Sequence, residues 1–474
     1  MEPILHDILY FFQLSHDVIY VFAFIVAVSL LLSGLDDLAV DLYYWFNRIF
    51  RRKEATKYEK LSPAKMDQQK EKPIAIFIPT WQEEAVIKLM LKNASETIDY
   101  ENYDVFVGVY PNDPATKAHV IAASRLAPHR IHPILATHPG PSTKAQNLND
   151  IYEGMVRWEN MTGIRYDVII LHDAEDLIHP LSLKTFNYFV PRYDMVQIPV
   201  YPLETAHSHL VHWTYADEFA ENHTKDLVAR QMFSDFVPSA GVGTAYNRWV
   251  IEFIGTSFAR NMFNRNSLTE DYDISMRLAL GEARLLYLNR PFGKPIATRA
   301  YFPHTFSAAV RQKTRWLIGI CLQGWQSYGW KGNFRFRLTL YRDRKAVITN
   351  IVNALAYVVL LYVLLYEFVN WALREYGTLE PVVATGTLLW YIVLIDTGLM
   401  LWRFVHRFLS VNRVYGKLAA LLSIPRLPVS NVINFAAAVR AIVQFFQNSR
   451  KKEQVAWDKT THTFPTVNEP ILYN

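Results

Sequence analysis

From Val18 to Leu35 the chain carries no charged residue over a length that, as a helix, crosses the hydrocarbon core of a bilayer. Everything else in the molecule must be arranged around that segment. The residues before it include Glu2, Asp7 and Asp17 but no Lys or Arg, and no small-x-small cleavage site precedes Asp36 and Asp37. The run therefore reads as a retained anchor rather than a cleaved secretory leader. Arg48, Arg51, Arg52 and Lys53 follow it. By the positive-inside rule, the N-terminus is expected outside and the rest of the chain on the cytoplasmic side.

Two further apolar runs, Ala346 to Tyr366 and Pro381 to Trp402, are separated by a stretch with Glu367, Glu375 and Glu380 against Arg374. The second is followed by Arg403, His406, Arg407, Arg413 and Lys417, so the pair predicts an outward then an inward crossing. Residues 417–446 are apolar but interrupted by Pro425, Arg426, Pro428 and Arg440. That pattern predicts an interfacial or re-entrant segment, or a helical hairpin, rather than one clean span, and an odd number of crossings in all. Phe334 to Lys345 mixes basic and apolar residues, which suits an interfacial helix or an ordinary basic flank.

The 474 residues are 51% hydrophobic and 20% charged, too apolar for an ordinary soluble enzyme and too polar for a pure transporter. A soluble domain joined to a few spans fits, and the length excludes a disordered or disulfide-stapled mini-protein. The net charge of +5 suits anionic headgroups better than a nucleic-acid platform. Cys321 is the single cysteine, which excludes an intrachain disulfide and a thiolate metal cluster. The expected organisation is an anchor at 1–50, a charged linker at 51–72, a globular domain at 73–333, interfacial and membrane helices at 334–446 and a tail at 447–474.

Within 73–333, short β-branched runs at 74–78, 105–110, 168–171 and 195–200 alternate with stretches long enough for helices. This predicts an α/β domain with a mainly parallel, doubly wound sheet, whose ligand lies at the carboxyl ends of the strands. The polar residues there are Thr80 to Glu84, Asn112 with Asp113, and His172 to Asp176. Asp173 and Glu175, one residue apart on an extended segment, share a side and make half of an oxygen site for a hard divalent ion, or else a solvated acidic turn. Ser267 to Glu270 fits a capping box, and Asp271 suits either the first turn of a helix or a general base. Gln312-Lys313-Thr314-Arg315-Trp316 sets a guanidinium, a phosphate grip, beside an indole, a sugar platform; the pair would also anchor at an interface. Lys144 reads as a cation at a helix start or a surface lysine. The Ala456 to His462 segment reads as an ordered polar tail.

The series Pro79-Thr80-Trp81-Gln82-Glu83, Asp113, Lys144, Asp173-Ala174-Glu175-Asp176, Thr269-Glu270-Asp271 and Gln312-x-x-Arg315-Trp316 resembles the membrane-bound, inverting family-2 glycosyltransferases, which include the cellulose, hyaluronan and poly-N-acetylglucosamine synthases. The wording LSGLDDL, FVGVYPNDP, SAGVGT and WDKTTH is most similar to a branch required for adsorption of a lytic phage. The resemblance implies a GT-A fold, a Rossmann-like mixed sheet, inserted between transmembrane helices. It implies that Pro79, Thr80, Glu83 and Asp113 hold uridine, that Lys144 meets the diphosphate, and that Asp173 and Glu175 reach Mg²⁺ or Mn²⁺. Gly243 and Thr244, in the stretch from Gly241, would lie beside the acceptor. Asp271, preceded by Glu270, would be the base, with Gln312, Arg315 and Trp316 completing the catalytic set. Trp457, Lys459, Thr460 and His462 would belong to a loop that closes over the nucleotide.

So read, the chain is expected to be a metal-dependent, processive transferase in a bacterial inner membrane, with its catalytic domain cytoplasmic. Its partners would be a UDP-sugar donor, a growing envelope polysaccharide, the lipid bilayer and an outer-envelope export partner. The donor implied is a UDP-N-acetylhexosamine, with N-acetylmannosamine among the candidates. Members of that branch continue into a domain resembling cyclic-di-GMP sensors, absent from this sequence, so that nucleotide would act only through another subunit. The competing reading is a catalytically idle membrane scaffold or phage-receptor component. Intact DAED, TED and QKTRW sets argue against it.

Overall fold

The computed structural model describes residues 2–50, 58, 61–257, 262–451 and 462–465. At its centre, β1 (Ile74–Pro79), β2 (Tyr103–Val109) and β4 (Val168–Leu171) are buried along their whole lengths, as strands covered by helices on both faces must be. Together with β3 (Ile131–Leu135), β5 (Met195–Gln197), β7 (Thr244–Asn247) and β8 (Leu285–Tyr287) they form one sheet in the order β3-β2-β1-β4-β7-β5-β8. β7 runs antiparallel to both its neighbours and the other pairings are parallel, which is the mixed GT-A-like sheet. β6 (Val200–Pro202) pairs with β9 (Thr298–Ala300) in a separate parallel ribbon.

The strand order reverses between β1 and β4, so the loops leaving their carboxyl ends part and open a crevice. The run expected as one strand over 195–200 is two, β5 and β6, separated by Ile198 and Pro199. Proline cannot donate to a ladder, and the chain changes sheet there.

Outside the domain, the helix Glu2–Phe50 packs against both Phe334–Ala372 and Leu388–Ser423. The described residues hold four helices long and apolar enough to cross a membrane, the fourth covering Leu427–Asn448, and the chain is membrane-associated. Several boundaries differ from expectation. Phe334–Lys345 and the following span are a single helix. The run from Pro381 becomes helical only at Leu388, after Thr387, whose hydroxyl accepts from Trp390 N at 3.3 Å. The backbone breaks at Gly416 (φ 82°), just ahead of the 417–446 stretch, and again after Ser423, then continues as one helix, Leu427–Lys451.

Charged side chains knit these helices to one another. Arg342 bonds Asp36 at 2.7 Å and Asp37 at 3.0 Å, Lys345 reaches Asp37 at 2.9 Å, and Arg403 reaches Asp37 at 3.0 Å. The helix Leu210–Glu221 joins the domain to the membrane side: Asp217, fully buried, takes a two-pronged bond from Arg426 at 2.8 and 2.7 Å.

Candidate functional site

The crevice is floored by the turn after β1. Thr80 Oγ1 donates to Gly108 O at 2.6 Å, and Gln82, at φ 54°, donates its N–H to Asp113 Oδ2 at 2.5 Å. Asp113 also caps the helix Pro114–Leu126 by accepting from Thr116 N at 3.3 Å. Its carboxylate therefore shapes the Thr80 to Glu83 turn. Beside it Trp81 stands edge-on to Tyr110 at 5.1 Å, with Tyr110 Oη 2.6 Å from Ser142 Oγ. Trp81 belongs to the Pro79 to Glu83 turn expected at the nucleoside, whereas Tyr110, at the end of the run over 105–110, carries no such expectation.

Charge converges where the loops after β4 and around Glu270 meet. Lys144 opens the helix Lys144–Thr162, capped by Thr143, and its Nζ lies 2.5 Å from Asp173 Oδ1 and 3.7 Å from Glu270 Oε1. Burial works against its charge, but Asp173 and Glu270 outweigh this and hold its pKa above the usual lysine range. Glu270 is pushed up to about 7, first by burial and then by Asp271, against Lys144. Asp176 is buried and its carboxylate is taken up locally: Oδ2 accepts from Asp173 N at 3.0 Å and lies 2.9 Å from His172 Nδ1. It fixes the turn that presents Asp173 and Glu175.

The tail reaches this cluster. His462 Nδ1 lies 3.0 Å from Glu83 Oε1 and 3.4 Å from Glu175 Oε2. Burial lowers the pKa of the imidazole, but Glu175 and Glu83 more than offset this and raise it to about 9. Glu83, Glu175 and His462 each offer one ligand atom, all within 4.8 Å of one another. Two carboxylates and an imidazole form a donor set that suits a divalent ion. Asp173, the other expected ligand, is engaged by Lys144 beside them. Trp457, Lys459 and Thr460 lie outside the described residues.

The expected capping box does not form. The helix Glu270–Leu280 starts at Glu270 with Thr269 at its cap, and Ser267 Oγ accepts from Thr269 N instead. Starting the helix there frees Glu270 to face Lys144. Asp271 Oδ1 accepts from Tyr272 N at 2.7 Å. Its Oδ2 lies 2.7 Å from where a Cβ on Gly241 would stand, and Gly241 has φ 75°, so only glycine leaves this carboxylate edge open. Burial raises the pKa of Asp271 above the usual range, against Lys144. Gly243 instead packs against Thr298 and Ile198. Thr244, fully buried, bonds Gln197 Oε1 at 2.5 Å and Ser239 at 2.8 Å, so these two support the loop from below.

Gln312, Arg315 and Trp316 lie on the helix Phe306–Trp316, which runs into a π-helical turn, Leu317–Gln323. Gly319 in that turn packs so closely on Thr269 that a methyl group would collide, which brings this element against the Thr269 to Asp271 segment. The sequence signal for this contact is only a glycine seven residues after Gln312. Gln312 Oε1 is buried without a hydrogen-bond partner among the described residues. Trp316 packs with Tyr215 and Phe219, ring centres 5.9 and 6.1 Å away.

Residues 72–319 match the family described as glycosyltransferase like family 2. The chain is 39% identical to bacteriophage adsorption protein B of Escherichia coli K12 over 477 residues, covering 94% of this chain and 62% of that protein. Bacteriophage N4 adsorption protein B of E. coli O157:H7 matches equally, so the chain spans about 62% of the length of these relatives. Among solved structures, the mannosyltransferase PcManGT from Pyrobaculum calidifontis, in complex with GDP-Man and Mn²⁺, shares the fold. The TM-score is 0.52 at 15% identity, over 88% of this chain and 98% of that one.

Proposed function

The chain belongs to glycosyltransferase family 2, and from that premise we propose that it is an inverting, processive enzyme that transfers a sugar from a UDP-sugar to a growing envelope polysaccharide. The donor we favour is a UDP-N-acetylhexosamine, with N-acetylmannosamine among the candidates. The setting is the cytoplasmic side of a bacterial inner membrane, where the positive residues after the first helix orient the chain.

The observation that carries this reading is Asp271, a half-buried carboxylate with one edge open at Gly241, set next to the Lys144, Asp173 and Glu270 cluster. Inversion needs one displacement. The acceptor hydroxyl gives its proton to Asp271 as its oxygen bonds the anomeric carbon, and the bond from that carbon to the diphosphate breaks to release UDP. Lys144 meets the diphosphate by exchanging carboxylate partners for phosphate oxygens, and Arg315 adds a second cation. Asp173, Glu175, Glu83 and His462 are the residues that would hold Mg²⁺ or Mn²⁺, which when bound neutralises charge on the leaving group. Trp81, braced edge-on by the buried Tyr110, would pack beside the base, and Trp316 would face the acceptor sugar.

The relatives' name favours a second reading, a phage-receptor component that need not turn over. The test is UDP release by detergent-purified protein with a panel of UDP-sugars and Mg²⁺ or Mn²⁺, beside Asp271→Asn. Release with one donor that disappears in the variant is expected. No release with any donor, with cyclic-di-GMP and membrane extract added, would favour the receptor reading.

A further inference from the structure

Between the π-helical turn Leu317–Gln323 and the helix Phe334–Ala372 the chain carries two tryptophans turned outward. Trp325 and Trp330 are 51 and 44% exposed, and their rings meet edge to face with centres 5.7 Å apart. Arg344 fixes their height. Its guanidinium lies 4.5 Å from the centre of the Trp330 ring and 5.4 Å from that of Trp325, and Nη2 donates to Gly329 O at 2.6 Å. The loop is held to the domain before and after Trp325: Gln323 Oε1 accepts from Leu268 N at 3.0 Å, and Tyr328 Oη donates to Asp273 Oδ1 at 2.6 Å.

Arg344 stands within the ionic layer of the membrane helices. Its neighbours Arg342 and Lys345 pair with Asp36 and Asp37, and the apolar run begins two residues on, at Ala346. That interval is about 3 Å of helix axis, less than the roughly 5–8 Å depth of a headgroup layer. Ile348 and Leu355 lie on the same helix face as Arg344 and are 67 and 42% exposed, so in a bilayer the face directly above the indoles meets acyl chains. From Leu322 to Arg342 there is no Asp or Glu, while Lys331, Arg335, Arg337 and Arg342 supply positive charge. An indole, apolar in body with one N–H donor, suits a layer that is wet on one side and apolar on the other, and cations beside it are drawn to anionic headgroups.

We propose that Trp325 and Trp330 enter the headgroup layer of the leaflet next to the globular domain, a membrane contact separate from the four apolar helices. It is independent of the transferase reading, because its test reads light emission and not turnover. The full chain, with 12 tryptophans, and its Trp325→Phe, Trp330→Phe double variant are placed in phosphatidylcholine bilayers whose acyl chains carry bromine either near the headgroup or near the bilayer centre. Phenylalanine keeps a ring beside Arg344. The emission that the variant lacks is expected to be quenched more strongly by the shallow bromine than by the deep one. Should the double variant not fold, Trp330→Phe alone is expected to remove part of that shallow-quenched emission. Missing emission that neither bromine quenches would overturn the lipid contact and mark the indoles as facing protein or water. Stronger quenching by the deep bromine would overturn the headgroup placement.

Discussion

Two charged layers of this molecule are built on opposite plans. Where the helices meet, cations and carboxylates alternate: Asp36 and Asp37 face Arg342, Lys345 and Arg403, and Asp217 is gripped by Arg426. In the crevice, Asp173, Glu175, Glu270 and Asp271 crowd round Lys144 and His462, with Glu83 adding another carboxylate. Like charges placed together are costly unless a ligand completes them. The first layer holds the fold; under the proposed function, a diphosphate and a metal ion would complete the second.

The largest expected effect is in the crevice. Asp271→Asn keeps the shape and removes the base, so the rate of UDP release should fall by roughly 10²–10⁴-fold, the usual contribution of general-base catalysis, with the unfolding midpoint little changed. A midpoint that drops along with the rate would show that Asp271 belongs to the structural plan. In the proposed role, the same residue should set the acid limb of the pH profile. Only the ionised carboxylate accepts a proton, and burial raises its pKa, so activity should be lost on acidification at a higher pH than an ordinary carboxylate would give. An acid limb at or below the usual aspartate range would remove Asp271 from the role.

At the helix layer the effect should fall on stability. Asp217→Ala leaves the buried Arg426 without its carboxylate and takes one of two from Arg407, a loss of about 3–5 kcal/mol read as a lowered unfolding midpoint in detergent. Protein that remains folded should turn over normally. A variant that stays stable but loses turnover would place Asp217 with the chemistry.

Sequence made some of this legible and hid the rest for physical reasons. The run over 168–171 becomes β4 because four β-branched or leucine residues buried on both faces admit little else, and its exit necessarily carries Asp173 and Glu175 into the crevice. β7, β8 and β9 are only three or four residues long, too short for an alternation to register, and β7 reverses direction on pairings made far along the chain. A motif also does not say where each oxygen goes. Asp113 spends its carboxylate on Gln82 and Thr116, and Thr244 spends its hydroxyl on Gln197, because the backbone turns around them leave donors and acceptors to satisfy. The helix expected to begin with a capping box starts at Glu270, since Ser267 is taken by Thr269 N, two residues ahead. The crowding of Glu83, Glu175 and His462 needs the tail folded back across the domain, which no local pattern records.

The smallest effect tests the seam between the two plans. Tyr272 follows Asp271 directly, and its hydroxyl donates to Asp343 Oδ2 at 2.8 Å. Asp343 lies on the helix Phe334–Ala372 and is held by Arg230 through two bonds of 2.7 Å. The first turn of the Asp271 helix is thus tied to the end of a helix that enters the membrane. Tyr272→Phe removes this one bond and leaves the ring packed against Phe236. A hydrogen bond to a charged group contributes about 1.5–3 kcal/mol, and part of that should appear in kcat as a loss of several-fold, with KM for the donor unchanged because no donor contact is touched. Asp343→Asn, which keeps an acceptor for Tyr272 but weakens the Arg230 pair, should lower the unfolding midpoint more and kcat less. If Tyr272→Phe shifts only the midpoint, the seam is part of the scaffold. If it shifts kcat alone, the position of the membrane helix sets the reach of the base.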